Sequence, residues 1–450
     1  VKQTIIHAEN RLSFIPPQFN RGMLAFGRAI APFYLRRLLG VRIERCEGLQ
    51  QLADEYRRFS LGDSRLIIVF RHVHVNDAQV IFYLINNLLP KRMRRRGRPL
   101  GEPLPRRPHA HFLYGRGVPL WAGKGLEFVF SRLGGVPVSH RKLERESIDS
   151  IRSFISEGRF PVALAPEGQV TYHNRFVYEI EPGFAQLALW AAEDSGAAEV
   201  RVLPISQYYR YGDDPAAVLD TIFGAIEKST GLRVEAKEPR ARLKAYGSAL
   251  LDRTETFYHR FYHLDFSFSM EGEFTRRRVE VLTDAVLALQ ERKFGVKAPY
   301  NGFTPRIFTV RQAGWDRIFH LDPAQRDERS KLDKAMDDFI ASETFLFTRH
   351  LELVDLLSYL RPEYGIESDD PNRWIETALN LHDLSLRIQG GNISKRLDIK
   401  PTYVSFYIGK PISLSKTELS DPEISLRTRR NILVDEVSRQ FEKFACQAKP

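Results

Sequence analysis

His72 and Asp77, in the run His72-Val73-His74-Val75-Asn76-Asp77, are the residues whose types and spacing best suit them to move a proton. A carboxylate bonded to one ring nitrogen of a histidine fixes its tautomer and leaves the other nitrogen as a general base toward a hydroxyl. On one continuous helix, residues five apart point about 140° away from each other, so the pair needs a backbone break between them. The sequence supplies one. Leu66-Ile67-Ile68-Val69-Phe70 is a short β-branched run that reads as a buried strand. Asn76, with Gln79 three residues on, reads as a helix N-cap with a capping box. Asp77 then falls in the first helical turn, where the helix dipole favours the anion.

Three further segments follow in order: Gly135-Val136-Pro137-Val138-Ser139-His140-Arg141, then Ala165-Pro166-Glu167-Gly168, then Val202-Leu203-Pro204-Ile205. With His-x4-Asp they resemble the four blocks of the glycerolipid acyltransferase family, the type that acylates lysophosphatidic acid or glycerol 3-phosphate. The resemblance implies an O-acyltransferase that moves a fatty acyl group from acyl-CoA or acyl-carrier protein to the hydroxyl of a lyso-glycerolipid. It implies no cofactor beyond that co-substrate, with His72 and Asp77 as the catalytic pair. It also implies that Arg141, Glu167, Gly168 and Pro204 shape the acceptor site. A guanidinium at Arg141 suits a phosphate bidentately, Glu167 suits acceptor hydroxyls, and Gly168 permits close approach or positive φ. Each also has a plainer reading: Arg141 as a solvated charge, Glu167 as an exposed turn carboxylate, Gly168 as a turn residue and Pro204 as a strand end. The chain departs from the family pattern after Glu167-Gly168, where Gln169 and Val170 replace a small hydroxyl residue and an arginine. Thr171, Tyr172 and His173 remain as other donors.

Composition bounds the partners. The 450 residues carry a net charge of +11, concentrated in Lys91-Arg92-Met93-Arg94-Arg95-Arg96-Gly97-Arg98 with Arg106 and Arg107 after it. Proline and glycine argue against a helix there. A loop carrying Arg92, Arg94, Arg95 and Arg96 suits an anionic membrane surface, each cation contributing about 1 kcal/mol. No nucleic-acid motif accompanies the charge, so nucleic acid is not an expected partner. Cys46 and Cys446 lie near opposite ends of the sequence and form no metal or disulfide pattern, which points to a reducing, cytosolic compartment. No secretory signal pattern is visible, and no run reaches the ~18 to 20 apolar residues that span a bilayer. Phe19 to Val41 instead mixes Met23, Leu24, Phe26, Ile30, Phe33, Leu35, Leu38 and Leu39 with Arg21, Arg28, Arg36 and Arg37. Such a segment can lie in the interface plane, so the expectation is a peripheral protein on the cytoplasmic face of a membrane.

Strand and helix patterns alternate from Ser64 to Tyr211, which predicts an α/β fold. The expected architecture is a glycerolipid-acyltransferase-like mixed sheet flanked by helices, with a large mostly helical insertion or C-terminal block. Residues 1–60 are expected to be an N-terminal amphipathic helical segment that docks on the membrane. Residues 61–214 form the α/β core, and residues 215–398 a helical insertion. Residues 399–450 close the catalytic domain, with a strand at Tyr403 to Ile408 and a last helix opened by Asp421-Pro422. Two other functions fit parts of the pattern. His72 and His74 resemble the His-x-His start of the metallo-β-lactamase ligand set, pointing to a metal-dependent hydrolase, although Val75, Asn76, Asp77 and Ala78 break the motif. A catalytically silent lipid-binding protein of the membrane surface is the third reading.

Overall fold

The structure, a computed structural model, describes residues 6–12, 14–93, 107–118, 124–138, 145–194, 199–266, 272–297, 302–322, 329–391, 396–415, 419–421 and 423–447. The chain divides into two compact units, Val1–Ser13 with Asp214–Asp398, and Phe14–Asp213 with Ile399–Pro450. The strands, in chain order, are β1 (Glu9–Asn10), β2 (Val41–Glu47), β3 (Ser64–Phe70), β4 (His111–Gly115), β5 (Val136–Val138), β6 (Val162–Leu164), β7 (Glu199–Tyr211), β8 (Phe319–Leu321), β9 (Thr402–Ile408) and β10 (Ile412–Ser413). The second unit holds one mixed sheet in the order β2-β9-β7-β3-β6-β4-β5, with β10 beside the first part of β7. β3 runs parallel to both β6 and β7, whereas β7 and β9 are antiparallel.

The helices of this unit up to β7 are α1 (Arg21–Phe33), α2 (Leu49–Leu61), α3 (Asp77–Tyr83), α4 (Leu89–Met93), α5 (Lys124–Arg132), α6 (Arg145–Ser156) and α7 (Gly183–Asp194). The helical unit follows with α8 (Pro215–Thr230), α9 (Pro239–Tyr262), α10 (Arg276–Phe294), α11 (Phe303–Ile318), α12 (Lys331–Tyr359), α13 (Pro362–Ile366) and α14 (Pro371–Ile388). The chain then re-enters the sheet as β9 and closes with α15 (Leu426–Gln447). The α/β unit is therefore discontinuous in sequence: β7 and β9 are sheet neighbours, and the helical unit is strung between them. The N-terminal residues join that helical unit, because β1 pairs with β8 and His7 Nδ1 meets Asp338 Oδ2 at 2.7 Å.

β3 is an apolar run because it is covered on both faces, as central parallel strands are. Ile67 and Val69 point into a core built with Ile151 and Ile155 of α6, Phe184 and Ala188 of α7, and Leu433, Val437 and Phe441 of α15. Leu66, Ile68 and Phe70 alternate to the other face and are equally buried.

Several boundaries differ from the sequence expectation. Val41–Glu47, placed within a helical N-terminal segment, is the edge strand β2, parallel to β9 with a register shift between Ile43 and Arg45. Its Arg42, Glu44, Arg45 and Glu47 are exposed, and charges of this kind blunt an edge against further pairing while masking the period-two pattern. Asp421 does not cap the last helix. Ser425 does, accepting the Thr428 N–H on Oγ at 3.2 Å and the Arg429 N–H on its carbonyl at 3.0 Å. In the N-terminal segment, α1 passes into a π-helical turn at Tyr34–Leu38. Leu24, Ala31 and Leu35 are buried there, whereas Phe26, Ile30, Phe33 and Leu38 are exposed. Arg28 is drawn into the fold, donating to Asn86 Oδ1 and the Pro108 carbonyl. Among the described residues no helix is long and apolar enough to cross a membrane.

Candidate active site

The C-terminal ends of parallel strands are where an α/β sheet gathers its chemistry, and here β3 delivers Arg71 and His72 while β6 delivers Ala165-Pro166-Glu167-Gly168. His72 Nδ1 lies 3.0 Å from Asp77 Oδ2. The strand-to-helix break makes this possible: α3 begins at Asp77, and the chain turns through His74, whose carbonyl accepts the Asp77 N–H at 3.1 Å. A carboxylate only accepts hydrogen bonds, so the proton sits on Nδ1 and the Nε2 lone pair is the basic site. Among the described residues Nε2 has no protein partner, and the His72 side chain keeps 26% of its surface exposed.

The peptide groups flanking the ring are held from both sides. Glu167 Oε2 accepts the His72 N–H, and the His72 carbonyl accepts both the Thr171 N–H at 2.7 Å and the Thr171 hydroxyl at 3.1 Å. The turn after β6 thus grips the histidine by its backbone. Glu167 is in turn neutralised by Arg71, whose Nη2 approaches Oε1 at 3.2 Å with both side chains fully buried. Arg71 also donates to the carbonyls of Asn174, His173 and Phe176. A buried ion pair is tolerable only when its remaining donors and acceptors are met in this way. Gly168 turns the chain with φ +71, a conformation glycine takes without steric cost.

Asp77 is fully buried and satisfied on both oxygens. Oδ2 takes the His74 N–H at 2.7 Å as well as the His72 ring, and Oδ1 takes the Tyr209 hydroxyl at 2.6 Å. Burial, and then the Asp77 charge, hold Tyr209 well above the ordinary phenol value, so it stays a donor. Asn174 pins Tyr209 to the turn by bonding its N–H at 2.8 Å and its carbonyl at 2.7 Å. The His74 ring stacks on Tyr209 with centroids 4.6 Å apart, and its Nδ1 accepts the Asn76 N–H at 3.1 Å.

His72, Asp77, Glu167 and Gly168 therefore come together. Arg141 of the expected acceptor site and Arg94, Arg95 and Arg96 of the basic loop lie outside the described residues. Arg92 is exposed at the end of α4. Pro204 is not at the site: it is buried in β7 with its carbonyl bonded to the Gly409 N–H at 2.8 Å. It shares the sheet face of Val200 and Val202, opposite Tyr209. It stands where the partner of β7 changes from β10 to β9, a gap that needs no N–H from residue 204. Glu167, expected among acceptor hydroxyls or in solvent, is enclosed, because its charge is used by Arg71 and His72. Thr171 and His173, suggested as acceptor donors, are buried, with His173 Nδ1 at 2.7 Å from the Thr171 carbonyl. Asn76 makes no side-chain cap bond; the carboxylate of Asp77 reaches back to His74 instead. The sequence reading missed Arg71, Asn174 and Tyr209, and it gave Thr171 to an acceptor where the structure has it hold the His72 carbonyl. The β-prone run Gln207-Tyr208-Tyr209-Arg210-Tyr211 was the available signal that β7 continues past Ser206.

Glu167→Ala is expected to lower the unfolding free energy of the chain by about 3–5 kcal/mol, because it strands a buried guanidinium; urea unfolding measures this. A transition unmoved from wild type would mean that Glu167 only serves a ligand. Compared with known proteins, the chain matches no family model and no curated relative.

Proposed function

We propose that this chain is an O-acyltransferase that moves a fatty acyl group from a thioester, acyl-CoA or acyl-carrier protein, to the hydroxyl of a lyso-glycerolipid. The observation that carries the reading is the oriented imidazole. Among the described residues nothing bonds His72 Nε2, while its Nδ1 and both flanking peptide groups are held. In the proposed reaction the acceptor hydroxyl gives its proton to Nε2 as its oxygen bonds to the thioester carbon. The resulting imidazolium is stabilised by Asp77. The carbon–sulfur bond then breaks, and the proton passes from Nε2 to the departing thiolate. No side-chain nucleophile is required. General acid–base work of this kind supplies typically 10²- to 10⁴-fold, and the remainder of the acceleration falls to holding the two substrates together.

Membrane association fits the same reading. Between Arg21 and Leu38 the sequence holds no Asp or Glu. The apolar side chains Phe26, Ile30, Phe33 and Leu38 are exposed there beside the exposed Arg21, Arg36 and Arg37. An apolar stripe ringed by arginines suits the boundary of an anionic bilayer. The metal-dependent alternative gains no support from the geometry. No group of three or more His, Cys, Asp or Glu among the described residues is placed to hold an ion.

Two outcomes follow. His72→Ala should reduce thiol release from acyl-CoA, measured with lysophosphatidic acid in liposomes, by roughly 10²- to 10⁴-fold; undiminished turnover would refute the assignment. Phe33→Asp should weaken binding to anionic vesicles roughly 10- to 100-fold, since one buried aromatic contributes about 1.5–3 kcal/mol. Flotation that equals wild type would rule out this helix as the contact.

A further inference from the structure

Beyond the end of β3, the strand β7 continues with Gln207 and Tyr209, two residues apart and so on one sheet face. Both reach the turn that carries His72. Gln207 Nε2 donates to the Arg71 carbonyl at 2.6 Å, part of the same peptide group whose N–H Glu167 holds. Tyr209 donates its hydroxyl to Asp77 Oδ1 at 2.6 Å, while His72 Nδ1 lies 3.0 Å from Oδ2. The two oxygens of one carboxylate are thus divided between a phenol and an imidazole. That carboxylate has no exposed surface, and in such a place a hydrogen bond is electrostatically stronger than in water.

A phenol this close competes for the charge of the anion. Its O–H dipole turns the positive end toward Asp77, and that end also opposes the imidazolium formed when Nε2 takes up a proton. We propose that Tyr209 is a positioning residue that acts on His72 through Asp77: it fixes the carboxylate plane and draws charge from it. The ring then takes a proton from water less readily and returns one to a leaving group more readily. The inference rests on the reading of His72 as the proton-transfer group, and not on which substrates it serves. Asn174 fixes the backbone of Tyr209, and burial followed by the Asp77 charge keeps the phenol protonated. The other ionisable groups against the pair are His74, stacked on Tyr209, Tyr211 of β7, whose ring lies 6.3 Å from that of His74, and Arg71 with Glu167, which neutralise each other.

Titration of the His72 ring, followed by ¹⁵N NMR in histidine-labelled protein, tests this apart from any activity. Tyr209→Phe keeps an aromatic ring against His74 and loses only the hydroxyl; in it the His72 midpoint should lie about 0.5–1 pH unit above wild type. In an Asp77→Asn background the same substitution should leave the midpoint where it was, because the effect passes through the carboxylate. In wild type, with no variant needed, the ¹³Cζ signal of Tyr209 should move as His72 titrates, since the coupling is reciprocal. A midpoint that stays or falls in Tyr209→Phe, a rise that persists with Asp77→Asn, or a Tyr209 signal blind to the histidine would each overturn the proposal. A midpoint that rises as expected in a chain that releases no thiol from acyl-CoA would uphold the role of Tyr209 and refute acyl transfer instead.

Discussion

The arrangement depends on a backbone clamp. The turn leaving β6 takes the N–H of His72 through Glu167 and its carbonyl through Thr171. The peptide planes on either side of the residue are therefore held, and with Asp77 bonded to Nδ1 the imidazole is oriented in the folded chain. A free side chain must give up rotamer freedom each time it acts. A clamped one has lost that freedom on folding, and preorganisation of this kind is what general acid–base groups need. The clamp is itself anchored in the core, because the carboxylate that grips His72 is neutralised by Arg71, the residue before it, which directly follows β3. One buried ion pair thus ties the ends of two adjacent parallel strands together at the point where chemistry is expected.

The second constraint is electrostatic. Asp77 sits in the first turn of α3 and receives hydrogen bonds from a ring nitrogen, a peptide N–H and a phenol. Three donors and the helix dipole compensate the cost of burying a carboxylate. The phenol comes from β7, which explains why that strand is long. Its first part pairs with β3 and β10, and its second part runs on beside β9 to carry Tyr209 across to Asp77. β9 arrives only after the helical unit has been traversed in sequence. The strand that supports Tyr209 and the histidine it serves therefore belong to segments far apart in the chain.

Some of this was legible in the residues alone. The His72–Asp77 contact could be read because its requirement is local: a β-branched run, a polar break and a helix start within twelve positions, Leu66 to Asp77. The helical character of residues 215–398 was legible too, and that stretch holds α8 to α14. What escaped was whatever depends on partners distant in sequence. Glu167 reads as a turn carboxylate until Arg71 is beside it, and Tyr209 reads as one more aromatic in a strand until Asp77 faces it. Pro204 resembles a site residue by motif, yet it occupies a junction between two sheet partners. The charged edge strand Val41–Glu47 hid because an edge has only part of one face to bury, so its alternation is faint.

The tautomer of His72 is the most direct test of this account. In ¹⁵N NMR of histidine-labelled protein, with the signals assigned by loss in His72→Gln, the account predicts a neutral ring protonated on Nδ1 and coupled to Asp77, with an unprotonated Nε2. A ring carrying its proton on Nε2, or one exchanging freely between the two forms, would contradict it.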